Sequence, residues 1–125
     1  KEKVREIRHA YPLTDSDRIT YIYQINSDNT IVEVTCVSYE LLVGNQWLTL
    51  VYYDKYHGGI LHRHTYLDIN KNIDIPNVYG VKQAGTSNDL LTWANRDLRR
   101  HYQNYRRGFI RRNQKYLKDH NIDIP

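Results

Sequence analysis

Between Leu91 and Tyr116 apolar side chains return at three- and four-residue steps: Leu91, Ala94, Leu98, Tyr102, Tyr105, Phe109 and Tyr116. At about 100° per residue these fall on one narrow stripe, the pattern of a helix with a single side to bury. A helix of this kind gains little from its own hydrogen bonds and needs another layer against its stripe. Thr86-Ser87-Asn88-Asp89 supplies its start, with a capping oxygen and an acid in the first turn. The spacing predicts a helix over 87–118. Thirty-one such residues would run to roughly 46 Å, more than a small domain can cover, so the helix is expected to bend or break near Gly108 or to project at its end.

The covering layer is predicted upstream, where the period becomes two. Ile19, Tyr21, Tyr23 and Ile25 share one face of a strand, and Ser27-Asp28-Asn29 is turn chemistry. The next strand, roughly 30–42, alternates on Val32, Val34 and Cys36, then switches phase to Val37, Tyr39 and Leu41. That switch predicts a bulge near Cys36. After Gly44-Asn45, residues 47–53 are apolar on both faces and read as a central strand. Residues 60–67 read as a fourth. Short links between successive strands imply an antiparallel meander. The expected architecture is an α+β domain: a mainly antiparallel four-stranded sheet with a long amphipathic, basic C-terminal helix packed on one face.

At 125 residues the chain is read as one domain. Residues 1–17 form a lead-in, with a short helix before the turn at Tyr11-Pro12. Residues 19–67 form the sheet, 68–86 a loop and 87–118 the helix. Asn72-Ile73-Asp74-Ile75-Pro76 recurs as Asn121-Ile122-Asp123-Ile124-Pro125, and two copies do not make a repeat fold. Cys36 is the single cysteine, so no intrachain disulfide is available and a reducing, cytoplasmic setting is the default expectation. It reads as a small buried hydrophobe, and Trp47 and Trp93 read as core or core-edge. No run of about 18 apolar residues suggests a membrane span, and the charged start does not read as a signal peptide. Gly-rich phosphate loops, zinc-finger spacings and the Gly-x-Ser-x-Gly and His-Glu-x-x-His motifs are missing.

The net charge of +4 hides an asymmetry. Residues 88–118 carry nine Lys/Arg against Asp89 and Asp97, a balance of +7, while the rest of the chain sums to −3. Arg96, Arg100, Arg107, Arg111 and Lys118 fall opposite the apolar stripe and form a basic ridge. Few acids interleave them, so their mutual repulsion calls for an anionic partner or is borne by a solvated face. His101 and Arg112 lie at the stripe's edge, from where either can reach toward the sheet. Twelve tyrosines against one phenylalanine suit surfaces that meet a polar partner.

The chemistry-bearing stretch is Asp54-Lys55-Tyr56-His57-Gly58-Gly59-Ile60-Leu61-His62-Arg63-His64-Thr65-Tyr66, which holds three of the six histidines. His62, His64 and Tyr66 are two apart and share a strand face, with Arg63 on the other face. His57, before the Gly-Gly turn, can fold back beside them. Three readings stay open. A histidine pair can move protons in cleavage of an RNA phosphodiester. His-x-His is a metal-ligand spacing that His57 or Asp54 would complete. The histidines can also be surface groups of a polar hairpin.

Residues 47–54, then His57-Gly58 and His62-Arg63-His64-x-Tyr66, then a late helix opening Leu90-Leu91-Thr92-Trp93-Ala94, resemble the TumE-like group of small prokaryotic proteins and related archaeal domains. The resemblance spans roughly residues 19–112 and is most specific in the histidine segment. It implies a toxin of a two-gene toxin–antitoxin system that acts on RNA and is neutralised by a DNA-binding antitoxin, with His57, His62, Arg63 and His64 as carried-over residues. The long basic tail after Gly108 and the Tyr-rich strands depart from the group.

The leading expectation is therefore a small metal-independent endoribonuclease needing no cofactor. His62 and His64 form the acid/base pair, His57 orients them, Arg63 stabilises the phosphorane, and Tyr66 positions substrate. Arg96, Arg99, Arg100, Arg106 and Arg107 hold the RNA backbone. RNA is the expected partner, with a protein antitoxin and a second copy of the chain as further ones and no membrane. The alternatives are a non-enzymatic module that grips nucleic acid or an acidic protein through the helix, and a His-ligated metalloprotein.

Overall fold

The computed structural model describes residues 3–55, 60–69, 77–78 and 85–125. His57, the Gly58-Gly59 turn and the first copy of the repeated pentapeptide lie outside the described residues. The alternating segments form an antiparallel meander in chain order, β1 (Arg5–Pro12), β2 (Asp17–Ile25), β3 (Ile31–Val43), β4 (Gln46–Lys55), β5 (Leu61–Thr65) and β6 (Asn77–Val78). Two helices follow, α1 (Ser87–Arg112) and α2 (Gln114–Asp119). The α+β class, the antiparallel sheet and the C-terminal helix are as the periodicity predicts.

The four-strand count is corrected. The lead-in is not helical: Arg5 to Pro12 pair with Ile25 to Arg18 as a fifth full strand, and β6 adds a two-residue sixth. β1 escapes a periodicity argument because it has no buried face. Seven of its eight residues are exposed, so charged residues sit on both sides and no apolar alternation marks it.

The expected bulge is present. Ile22 faces Cys36 and Tyr23 faces Val34, so Thr35 is the extra residue. This lets Val34 and Val37 both enter the core, at 3% and 0% exposure. A register shift between β3 and β4 leaves Leu50 extra on β4, between Thr49 opposite Glu40 and Val51 opposite Tyr39. Leu50 and Val51 are consequently both buried, which explains why β4 reads as apolar on both faces.

The core lies between the sheet and α1. Ile19, Val37, Tyr39, Leu41, Val51, Tyr53 and Leu61 meet Leu90, Ala94, Leu98 and Phe109. Thr86 caps α1 as expected: its hydroxyl accepts from the Asp89 amide at 3.1 Å and the Asp89 carboxylate accepts from the Thr86 amide at 2.9 Å. Gly85, just before the cap, packs tightly against Leu61 of β5. A Cβ there would lie 2.6 Å from Leu61 Cδ1. Gly108 does not interrupt the helix; Asn113 does. Its buried side-chain amide donates to the Leu67 carbonyl (2.9 Å) and the Phe109 carbonyl (2.7 Å), and its oxygen accepts from the Ile69 amide (2.8 Å). The side chain ties the helix to the strand exit after β5 at the price of helical continuity. Among the described residues no helix is long and apolar enough to cross a membrane.

Candidate functional site

Alternation along β4 and β5 sorts their side chains between two faces of the sheet. On the α1 face, Tyr53 stands opposite Arg63. On the face away from α1, Asp54 is opposite His62 and Tyr52 is opposite His64. The hairpin register therefore sets a carboxylate directly across from one imidazole and diagonal to the next. His64 Nε2 lies 3.1 Å from Asp54 Oδ1. The His64 ring stacks on Tyr52 at 4.4 Å between centroids and 12° between planes, and Tyr66 continues the stack on Tyr52 at 5.8 Å. The His62 and His64 rings are 5.8 Å apart. Neither imidazole is sealed in the core; both are half-buried.

One ligand atom each from Asp54, His62 and His64 lies within 4.8 Å of the others. Donors bound to one tetrahedral zinc at 2.0–2.1 Å sit roughly 3.3 Å apart. The Asp54–His64 pair, at 3.1 Å, is already near that spacing, and the His62 donor atom lies within 4.8 Å of both. Two imidazoles and a carboxylate are the borderline donor set that zinc and its neighbours favour. Tyr66 also lines a cavity of about 150 Å³ with Leu48, Ile69 and Phe109.

Arg63 is placed on the other side of the sheet from the imidazoles. Its Nη1 donates to Asp97 Oδ2 and to the Tyr105 hydroxyl, both at 2.9 Å, on the α1 side. The sheet separates it from the imidazoles. Asp97 Oδ2 also accepts from Tyr105 at 2.7 Å and, in a very short bond, from Tyr53. Burial pushes the Asp97 carboxyl up, but the hydrogen bonds from Tyr53, Tyr105 and Arg63 outweigh it and hold it below the usual carboxylate range. Burial, reinforced by the bond to Asp97, drives Tyr105 up to about 12. The Tyr53 hydroxyl is raised further, chiefly by burial and then by its tyrosine and carboxylate neighbours. This network ties β4, β5 and α1 together. Its sequence signal is slight: Asp97 reads only as one of two acids in a basic helix.

The arginines form no part of the histidine site either. Arg96, Arg99, Arg100 and Arg107 are exposed on α1, and among the described residues none of them has an ion pair. Arg106 is placed differently from these four. It is half-buried against the sheet, with Nε 3.5 Å from Asp17 Oδ1, and so is not on the outer surface with the others. Asp17 is itself held by Thr14 and Tyr39 at 2.5 Å each. His101 is exposed and sits 3.4 Å from Asn104, while Arg112 turns back to the Gly108 carbonyl, so neither joins the histidines. Cys36 is half-buried, with Sγ 3.5 Å from Ser38 Oγ; burial raises its thiol pKa and keeps it a poor nucleophile. Trp93 packs edge-on against Tyr53 at the core margin, and Trp47 lies under the Arg18 guanidinium at 4.2 Å.

Set against known families, residues 3–115 match the model of DUF7718, a domain of unknown function. The chain belongs to the DUF7718 family. No curated protein and no solved structure matches it. The family description assigns no activity to this DUF7718 chain and carries no link to the TumE-like toxins.

Proposed function

We propose that this DUF7718 chain is a metal-dependent hydrolase whose centre is formed by Asp54, His62 and His64. The observation that carries the reading is the convergence of those three donor atoms within 4.8 Å on one sheet face. Metal-free RNA cleavage needs a fixed positive charge beside the phosphate. Arg63, the expected source, points to the opposite face. A divalent ion supplies that charge and lowers the pKa of its bound water. Three protein ligands leave a fourth position for that water, as in catalytic zinc sites. The chain's own contribution is placement. The β4–β5 register fixes Asp54 against His62, and stacking on Tyr52 fixes the plane of His64.

RNA is the substrate class, because α1 offers exposed arginines that have no ion pair among the described residues. The sheet lies between those arginines and the metal ligands, so they tether a long polymer and do not grip the scissile phosphate. This also favours a second reading, a nucleic-acid-binding module without chemistry.

Metal content separates the two. After chelation and reloading with zinc, the wild type is expected to retain one equivalent. His62→Ala, His64→Ala and Asp54→Ala should each lose more than the roughly 10–100-fold in affinity that an outer-shell change costs. Hydrolysis of an activated phosphodiester and of RNA should stop in chelator and return with metal. A wild type that binds zinc no better than the three variants would refute the centre. Fragments with 2′,3′-cyclic phosphate ends that persist in EDTA would point back to the metal-free histidine pair.

A further inference from the structure

β1 ends the sheet as a full-length edge strand. It pairs with β2 on one side, and among the described residues its outer edge has no partner. An edge of this length presents a row of backbone donors and acceptors that water or another strand must satisfy. Proteins commonly block such edges with charge, and β1 does carry Arg5, Glu6 and Arg8. Their signs, however, do not block every pairing.

Glu6 is opposite Gln24 and Arg8 is opposite Ile22 on β2, so both lie on the face away from α1. Neither has an ion pair among the described residues. A two-fold axis through Ile7, normal to the sheet, would pair two copies of β1 antiparallel. Glu6 of each copy then faces Arg8 of the other, giving two cross-strand ion pairs. Val4, which is 49% exposed, comes opposite Ala10, and Ile7 meets its own copy. Arg5 would stand opposite His9, but its Nη2 is drawn away to Asn29 Oδ1 at 3.0 Å. Slipping the register by two residues either way, which keeps the same faces together, sets Glu6 on Glu6 or Arg8 on Arg8. Like charges directly opposite are destabilising. The charge pattern thus selects one self-pairing and rejects its neighbours.

We infer that β1 is the interface of a homodimer, in which two copies join edge to edge into one continuous sheet centred on Ile7. The seven residues a side from Val4 to Ala10 make a small contact, so a dissociation constant in the micromolar range is expected. The dimer stands independently of the metal reading, because β1 is at the far end of the strand order from β5.

Sedimentation velocity across micromolar concentrations, with circular dichroism to confirm folding, tests it. The wild type should move from monomer to dimer. E6R and R8E each turn both ion pairs repulsive and should weaken dimerisation about tenfold or more. E6R/R8E restores opposite charges and should dimerise like the wild type. An equimolar mixture of E6R and R8E should form a heterodimer that neither forms alone. A wild type that stays monomeric, single reversals that dimerise normally, or a double variant that fails to recover would each overturn the proposal.

Discussion

Asp97→Asn isolates what the buried network between sheet and helix contributes. The substitution keeps the shape and removes one charge. In the native protein a single carboxylate oxygen accepts from Tyr53, Tyr105 and Arg63. Hydrogen bonds to a charged group contribute about 1.5–3 kcal/mol each, against about 0.5–1.5 for neutral ones. Losing about 1 kcal/mol at each of three bonds gives ~3 kcal/mol. The Asp97 side chain is 11% exposed and Arg63 is 24% exposed, so Arg63 recovers some water once its counter-ion is gone. The 3–5 kcal/mol typical of breaking a fully buried pair is therefore an upper bound. Urea unfolding should show the loss as a lower midpoint at unchanged slope, with a melting temperature lower by roughly 10 °C.

The pH dependence has a fixed sign. The folded-state pKa of Asp97 is depressed below 3.8. Its stabilisation is complete above the unfolded value and disappears as pH falls through the folded one. The gap between wild type and Asp97→Asn should thus be constant near neutrality and close below pH 3.8. A loss under about 1 kcal/mol, the size of one ordinary neutral hydrogen bond, or a gap that widens in acid, would refute this account of the network.

Asn113→Ala should destabilise by about 3 kcal/mol in urea, because it strips partners from the Leu67 carbonyl and the Ile69 amide in a buried site. Its far-UV helix signal should hold or rise, since the side chain that competes with the helix is gone. Replacing Arg96, Arg99 and Arg100 with Ala should lower the slope of log affinity against log salt for single-stranded RNA by about 2. Substituting His62 or His64 should leave that slope unchanged.

What the sequence reveals here depends on whether a residue's role is local. The α1 start is legible because Thr86 and Asp89 satisfy each other across three residues. The bulge beside Cys36 is legible because it flips the apolar phase of one strand. The shared face of His62 and His64 follows from a period of two. Roles that depend on pairing between segments are harder to see. Asp54 joins the histidines only through the β4–β5 register, and Tyr52 becomes the floor under His64 by the same register. Arg63 looks like an active-site cation by its neighbours in sequence, yet its partners Asp97 and Tyr105 come from a helix more than thirty residues later. Gly108 looks like the natural break in the helix, but a glycine that packs well can stay helical. Asn113 breaks it because its amide has backbone groups of another segment to serve.

The placement of imidazoles and exposed guanidiniums on opposite sides of one sheet has a practical meaning. Under the function proposed above, a long anionic chain would be moored along the rear of the molecule while the front stayed clear to work on a neighbouring stretch. Fastening and processing would then be separable traits, and either could be tuned, lost or borrowed without dismantling the other.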